Sequence, residues 1–134
     1  MKNRKEMIKT FYKIIENENY DELKPFCHED FVFYPQIDTP FYGVKGLKDS
    51  EDKNFAPFPD FKMPVKEIIL DNNDSAAVYL NFEGTHTGAP FNGINPTGKS
   101  VKFSLMMLLK FKDNKIIEKR SHVDVNDIIK QIKQ

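Results

Sequence analysis

Two histidines and one aspartate are the residues of this chain best suited to chemistry. His86 lies within the segment Gly-Thr-His-Thr-Gly at residues 84–88, and His122 stands two positions before Asp124. All three lie at the ends of predicted strands in a sequence rich in Phe, Ile and Leu. Titratable groups beside apolar walls are what proton transfer on a hydrophobic substrate requires. The pattern therefore indicates an acid–base site, although it identifies no substrate.

Asp124 has two interpretations. A catalytic base needs apolar surroundings, because an ordinary aspartate has a pKa of about 3.9 and burial favours the protonated form. Alternatively, Asp124 caps the last predicted helix, since Asp is a favoured N-cap residue and Asp127 follows three positions later. The spacing leaves both interpretations open.

The histidines are equally open to two readings. His86 could polarise a carbonyl group or deliver a proton, or it could be a turn residue bonded to neighbouring threonines or backbone. Strand alternation places His122 on the same side as Ile116, Glu118, Arg120 and Asp124. That arrangement predicts either a neighbour of the catalytic aspartate or a plain charge network.

Three further side chains are candidates for substrate binding. The forked guanidinium of Arg120 could hold a carboxylate or enolate oxygen, or it could pair with Glu118. Tyr12 and Tyr34 could each donate a hydrogen bond into a cavity, although a tyrosine ring packed in the core with its hydroxyl at the edge is the commoner case.

The composition limits the classes of function. The chain has 134 residues, with 20 Lys+Arg and 20 Asp+Glu, and we expect one domain over residues 1–134. Zero net charge argues against nucleic acid or an anionic membrane as a partner. Cys27 is the single cysteine, so an internal disulfide is excluded. We find neither a signal peptide nor a spanning apolar run, and we expect a cytoplasmic protein.

A metal site is not expected. The three histidines, His28, His86 and His122, are dispersed, and none forms a pair with the spacing that metal ligands usually show.

Hydrophobic periodicity predicts helices before strands. Apolar residues spaced by three and four predict a helix over 4–17, and shorter signals predict helical segments at 21–27 and 46–55. Strands are predicted at 31–34, 65–70, 75–86, 101–111 and 115–123, and a helix from about Val125. This order predicts an α+β domain in which a curved antiparallel sheet wraps over the helices.

The strand at 101–111 is apolar in its middle on both faces. Val101, Phe103, Leu105, Met107, Leu109 and Phe111 share one face, whereas Met106 and Leu108 lie on the other. A strand of this kind needs a cover on each side. We expect the second cover to be another copy of the chain, giving a homodimer.

Several segments then occur in a recognisable order: Phe41-Tyr42-Gly43-Val44-Lys45-Gly46-Leu47, Phe58-Pro59-Asp60-Phe61, Gly84-Thr85-His86-Thr87-Gly88, Pro96-Thr97-Gly98-Lys99, and Asp124 seven residues before Gln131. This series resembles the SnoaL-like polyketide cyclase family, also called ester cyclases, within the NTF2-like superfamily. The resemblance covers nearly the whole chain. Two departures are Arg120, where the family usually has Trp, and the C-terminal segment 127–133.

The resemblance implies an α+β cone around an apolar cavity that takes a hydrophobic small molecule. It implies intramolecular aldol chemistry without a metal or organic cofactor, with Asp124 as the base and His86 beside it. Related isomerase chemistry is a further possibility. Two other hypotheses remain open: a module that binds a hydrophobic molecule without catalysis, and a scaffold that uses the 101–111 strand for dimerisation.

Overall fold

The computed structural model describes residues 3–133. The elements, in chain order, are α1 (Arg4–Glu16), a 3₁₀ segment (Tyr20–Phe26), β1 (Cys27–Gln36), β2 (Thr39–Tyr42), α2 (Gly43–Phe55), β3 (Val65–Leu70), β4 (Ser75–Thr85), β5 (Ser100–Lys112), β6 (Lys115–His122) and α3 (Val125–Lys133). Every helix in residues 3–133 falls short of the length and apolar character needed to cross a membrane.

One six-stranded sheet organises the fold, in the order β2-β1-β6-β5-β4-β3. Four of its neighbouring pairs are antiparallel, which confirms the predicted α+β architecture. The expectation of a purely antiparallel sheet was wrong in one place, since β1 and β6 run parallel. These two strands are far apart in the chain, and parallel neighbours require such a long connection.

The inner face of the sheet forms the core. On β5 the predicted apolar face is confirmed: alternate residues from Val101 to Phe111 are buried. Aromatic rings tie the strands to α2 and the segment after it. The ring centroids of Phe82 and Phe103 lie 4.8 Å apart, and those of Phe55 and Phe61 lie 4.0 Å apart. Such contacts add to the stabilisation from burying the rings.

A β-bulge in β6 overturns one sequence prediction. Phe111 pairs with Ile116 and Lys110 pairs with Glu118, so β6 carries one extra residue at this point. An extra residue reverses which side chains face inward. Ile116 is buried, but beyond the bulge Lys119 is the buried residue, whereas Glu118 and Arg120 are half-buried. Glu118, Arg120, His122 and Asp124 therefore do not share the buried side of Ile116.

Local signals explain the other differences. Strand β2 was not predicted, and β1 continues through Pro35, where the strand was expected to end. The β1–β2 register shifts between Phe33 and Gln36, and proline is tolerated at such irregular positions. The side chain of Asn3 accepts a hydrogen bond from the Lys5 amide and so caps the N-terminus of α1.

Hydrogen bonds join two of the segments that carry the family resemblance, the one at 58–61 and the one at 84–88. Asp60 accepts hydrogen bonds from the Thr85 amide and hydroxyl, both at 2.8 Å. The Gly88 amide donates to the Pro57 carbonyl at 3.1 Å, and a Cβ at Gly88 would collide with the Ala56 carbonyl oxygen. The glycine is therefore required by close backbone approach. This interlock holds the loop after α2 against the end of β4.

We expect Gly88→Ala to reduce the free energy of unfolding by roughly 1–3 kcal/mol, because the added methyl group must displace backbone atoms. Chemical denaturation measures the change. Thr87→Ala, an exposed neighbour in the same loop, serves as the control and should leave stability nearly unchanged. Equal stability of the two variants would contradict the proposed close packing.

Candidate functional site

An apolar pocket of about 310 Å³ lies on the inner face of the sheet. Its hydrophobic wall comes from the sheet, from α3 and from α2 with the loop after it: Phe55, Phe58, Met63, Phe82, Phe103, Leu105, Met107 and Ile128. Glu51, Asn54 and Ser121 add polar groups. A mainly apolar cavity with a few polar groups is typical of a small-molecule site.

A larger hollow of about 670 Å³ lies near the start of α1, beside the β3–β4 and β5–β6 turns. Its guanidinium group is already engaged: Arg4 donates to the Asn73 carbonyl at 2.7 Å and to Asn114 Oδ1 at 3.4 Å. Since Arg4 is its sole titratable lining group among residues 3–133, the hollow offers no acid–base pair. The smaller, apolar pocket is therefore the better candidate site.

Glu51 is the buried acid of this pocket. It lies on α2 in phase with the buried residues Leu47 and Phe55, and only 4% of its surface is exposed. Asn54 Nδ2 donates a hydrogen bond to Glu51 Oε1 at 3.1 Å. Burial raises the pKa of Glu51, while the charge of Lys119 and the bond from Asn54 partly oppose this rise. A carboxyl group perturbed in this way suits proton transfer near neutral pH.

Lys119 and Tyr12 lie beside Glu51 in the interior. Lys119 is 1% exposed, and its Nζ lies 4.0 Å from the centroid of the Phe33 ring. Within residues 3–133, neither Lys119 Nζ nor the Tyr12 hydroxyl has a hydrogen-bond partner. Burial lowers the pKa of Lys119, and the charge of Glu51 opposes that change. Burial likewise raises the pKa of Tyr12, so its phenol stays neutral.

Asp124 lies outside the pocket. Its Oδ1 accepts hydrogen bonds from the amides of Asn126 at 3.0 Å and Asp127 at 3.4 Å, as an N-cap of α3 does. The expected burial of this side chain is wrong, since the residue is exposed. Its neighbours Val123 and Val125 line the pocket, which places Asp124 at the rim.

His86 is fully buried but does not line the pocket. Its Nε2 lies 3.2 Å from the Ala89 carbonyl oxygen, and its ring packs 5.6 Å from that of Phe58, measured between centroids. Its backbone amide donates to Lys99 and its carbonyl accepts from Gly98. Phe58 does line the pocket, so His86 supports the wall from behind.

The other predicted ligands lie on the outer face of the sheet. The Arg120 guanidinium stacks 4.1 Å from the Tyr34 ring centroid, and its Nε donates to Glu118 at 2.9 Å. Arg120 pairs in register with Leu108, and His122 pairs with Met106. The structure therefore does not bring Arg120, Tyr34 or His122 to the pocket. Of the predicted residues, Tyr12 alone lies next to Glu51.

One group of possible metal-ligating atoms occurs in residues 3–133, formed by His28, Glu29 and Asp30. Its two carboxylates are exposed. His28 Nδ1 already accepts a hydrogen bond from the Asp30 amide at 3.0 Å. Consecutive acidic residues of this kind on one strand, away from the pocket, do not make a metal centre.

The comparisons with known proteins agree with this geometry. A sequence model of SnoaL-like polyketide cyclases matches residues 5–132. The chain belongs to the SnoaL-like polyketide cyclase family. A search of curated proteins found none similar to it.

Solved structures show the fold that this family member shares. IdmH, a proposed polyketide cyclase from Streptomyces antibioticus, is 20% identical, with a TM-score of 0.85 over 99% of this chain and 100% of IdmH. A SnoaL-like polyketide cyclase from Agrobacterium tumefaciens is 23% identical, with a TM-score of 0.81 over 98% and 99% of the two chains. AclR, a proposed hydroxylase from Streptomyces galilaeus, is 22% identical, with a TM-score of 0.81 over 97% and 84%. These likenesses confirm the predicted NTF2-like fold.

The structure shows where one departure from the SnoaL-like pattern lies. Arg120, which stands where the family usually has Trp, lies on the outer face of the sheet with Tyr34 and Leu108. This substitution therefore alters the exterior of the sheet and leaves the pocket wall unchanged.

In this SnoaL-like protein, the raised pKa of Glu51 predicts that the free energy of unfolding depends on pH. A carboxyl whose pKa is raised on folding contributes stability at acidic pH, and this contribution is lost as the pH rises through the raised value. Glu51→Gln should therefore match the wild type at low pH and become progressively more stable than it as the pH rises. Each unit of pKa shift corresponds to about 1.4 kcal/mol.

Thermal melts over a pH series measure this difference, with Glu22→Gln as the control at an exposed glutamate. The control should follow the wild type at every pH. A Glu51→Gln curve parallel to the wild type would mean that Glu51 titrates as an ordinary surface carboxyl.

Proposed function

We propose that the chain is a cofactor-independent enzyme that performs aldol or enolisation chemistry on a hydrophobic carbonyl compound. The observation that carries this proposal is the buried Glu51 carboxyl on the wall of a mainly apolar pocket. Membership of the SnoaL-like polyketide cyclase family supports the reaction class. The ring-lined wall supports a hydrophobic substrate.

In the proposed reaction, the Glu51 carboxylate removes a proton from a carbon next to a carbonyl group. The electron pair of the broken C–H bond forms an enolate. In an aldol step the enolate carbon attacks a second carbonyl, and the resulting alkoxide takes the proton back from Glu51. In enolisation the proton returns to oxygen or carbon instead. The Ser121 hydroxyl, which also lines the pocket, can donate a hydrogen bond to the developing oxyanion.

Asp124 remains a second candidate for the base, because the family resemblance assigns that role to it. Its position at the rim, between two pocket-lining valines, would let it reach a substrate that projects from the pocket. Against this, its Oδ1 already accepts hydrogen bonds from two backbone amides, and the residue is exposed to solvent. His86 would act indirectly, by holding Phe58 in the wall.

A non-catalytic binding module is the second candidate function. The exposure of Asp124 favours it, since the residue that the resemblance assigns as the base lacks the apolar surroundings a base requires. In this alternative the same pocket carries a hydrophobic molecule that is released unchanged.

We also propose that the outer face of the sheet pairs two copies of the chain. Large apolar side chains are exposed there: Ile69 at 58%, Met106 at 44% and Tyr79 at 40%. Tyr79 and Met106 are direct neighbours in the β4–β5 register. An exposed apolar patch on a sheet face is typical of an interaction surface.

The first test uses benzylacetone as a hydrophobic ketone and follows exchange of its α-hydrogens in heavy water by NMR. The wild type should accelerate the exchange. Glu51→Gln should reduce the catalysed rate by roughly 10²-fold or more, since general base catalysis is worth about that much. Asp124→Asn tests the rival base and should keep most of the activity, and its fold should be preserved because asparagine also caps helices.

Full activity in Glu51→Gln with loss in Asp124→Asn would assign the base to Asp124. Tight binding of the ketone with no acceleration by the wild type would support the binding module. Equal activity in both variants and the wild type would exclude each carboxylate as the base.

The second test concerns the dimer. Met106→Asp should convert a dimeric wild type into a monomer, because two aspartates would be buried at the paired face. Light scattering coupled to gel filtration measures the mass. Ile37→Asp, which changes an exposed apolar residue in the β1–β2 turn, should remain dimeric. A monomeric wild type at micromolar concentration would contradict this assembly.

A further inference from the structure

Lys119 is a buried cation that packing alone does not require. Its position on the inner face of β6 pairs with the buried Leu109, and its Nζ lies above the Phe33 ring with no hydrogen-bond partner in residues 3–133. Burying an ammonium group is costly unless a charge or dipole compensates it. An apolar side chain of similar length would fill this space without that cost. The face of the Phe33 ring compensates part of this cost, and a negatively charged partner would compensate more of it.

The titratable groups around Lys119 come from three elements, α1, β1 and α2. Tyr12 on α1 and Cys27 on β1 are buried, and burial raises the pKa of Cys27 to about 12, so both stay neutral near neutral pH. Glu51 on α2 is the one carboxyl group of this set, and its negative form is the one that Lys119 favours. It is also the group that lines the pocket.

We propose that Lys119 is a positioning residue that acts through Glu51, keeping the Glu51 carboxylate ionised and available inside the apolar pocket. This inference rests on the proposed function, in which Glu51 is the base. Lys119 itself does not line the pocket, so it touches no substrate.

The geometry suits this role because the two charges interact without a direct bond. Asn54 Nδ2 donates a hydrogen bond to Glu51 Oε1, whereas Lys119 Nζ donates none to either carboxylate oxygen. A direct ion pair would use the remaining oxygen and stabilise the carboxylate too strongly for a base. An ammonium group held at a distance offsets part of the burial cost and leaves one oxygen free. Without this charge, burial would raise the pKa of Glu51 further and leave less of the carboxylate able to accept a proton.

The test is a direct titration of Glu51, which needs no substrate. Carbon NMR of labelled glutamate carboxyls gives the midpoint, and the resonance missing from Glu51→Gln assigns it. Lys119→Met should raise the Glu51 midpoint by about one pH unit or more, equivalent to at least a tenfold change in the ionisation constant. Lys119→Arg keeps the charge and should leave the midpoint near the wild-type value. Tyr12→Phe removes a neutral hydroxyl and should also leave it nearly unchanged.

An unchanged Glu51 midpoint in Lys119→Met would overturn the proposal, since a purely structural lysine changes stability without shifting a neighbour's titration. If Lys119→Met does not fold, the reverse measurement decides. By linkage, Glu51→Gln should lower the midpoint of the Lys119 ammonium, observed by NMR of labelled lysines. An unchanged lysine midpoint would equally overturn the coupling.

The pH profile of ketone exchange separates this inference from the proposed function. The exchange rate should rise as the pH passes the Glu51 midpoint. In Lys119→Met, this rise should move to higher pH by the same amount as the midpoint. Catalysis by Glu51 with no shift would remove the role of Lys119 and leave the function intact. Charge coupling without any catalysis would contradict the function, and with it the positioning role.

Discussion

The structure depends on an inner sheet face that is covered by helices and still leaves a pocket open. Phe103, Leu105 and Met107 on β5 serve both purposes, because they belong to the hydrophobic core and line the pocket. The same side chains therefore form part of the hydrophobic core and part of the pocket wall. A substitution that enlarges the pocket removes buried apolar contacts and costs stability as any cavity-forming change does. Pocket size and fold stability therefore cannot vary independently in this protein.

The same constraint explains why Glu51 and Lys119 are unusual. Each opposes folding when charged, since burial raises the pKa of Glu51 and lowers that of Lys119. A core selected for stability alone would replace both with apolar residues. Their opposite signs reduce the cost, and their placement on different elements, α2 and β6, ties the helix position to the sheet. Local departures from good packing rules of this kind are expected where a protein has a function to perform.

Sequence periodicity was sufficient for most elements and insufficient for the site. The alternation in β5 and the spacing in α1 depend on burial of one face, and both predictions are confirmed. The prediction for β6 was wrong because the bulge near Ile117 reverses the alternation, and an extra residue leaves no trace in a period-two pattern. Glu51 was missed although its spacing of four from Leu47 and Phe55 puts it on the buried face of α2. A glutamate inside a helical pattern is ordinarily read as solvated.

The most recognisable segments of this family member carry architecture more than chemistry. Gly88 admits the Ala56 carbonyl, Asp60 binds Thr85, and His86 packs behind the wall residue Phe58. Such contacts depend on backbone geometry and hold for any substrate. Glu51, by contrast, lies outside these segments, on a helix whose sequence only has to keep its apolar face. Relatives can therefore share the motif and the cone while presenting different groups to the pocket, since a fold does not determine its chemistry. The reaction of each member has to be argued from the side chains on its own pocket wall.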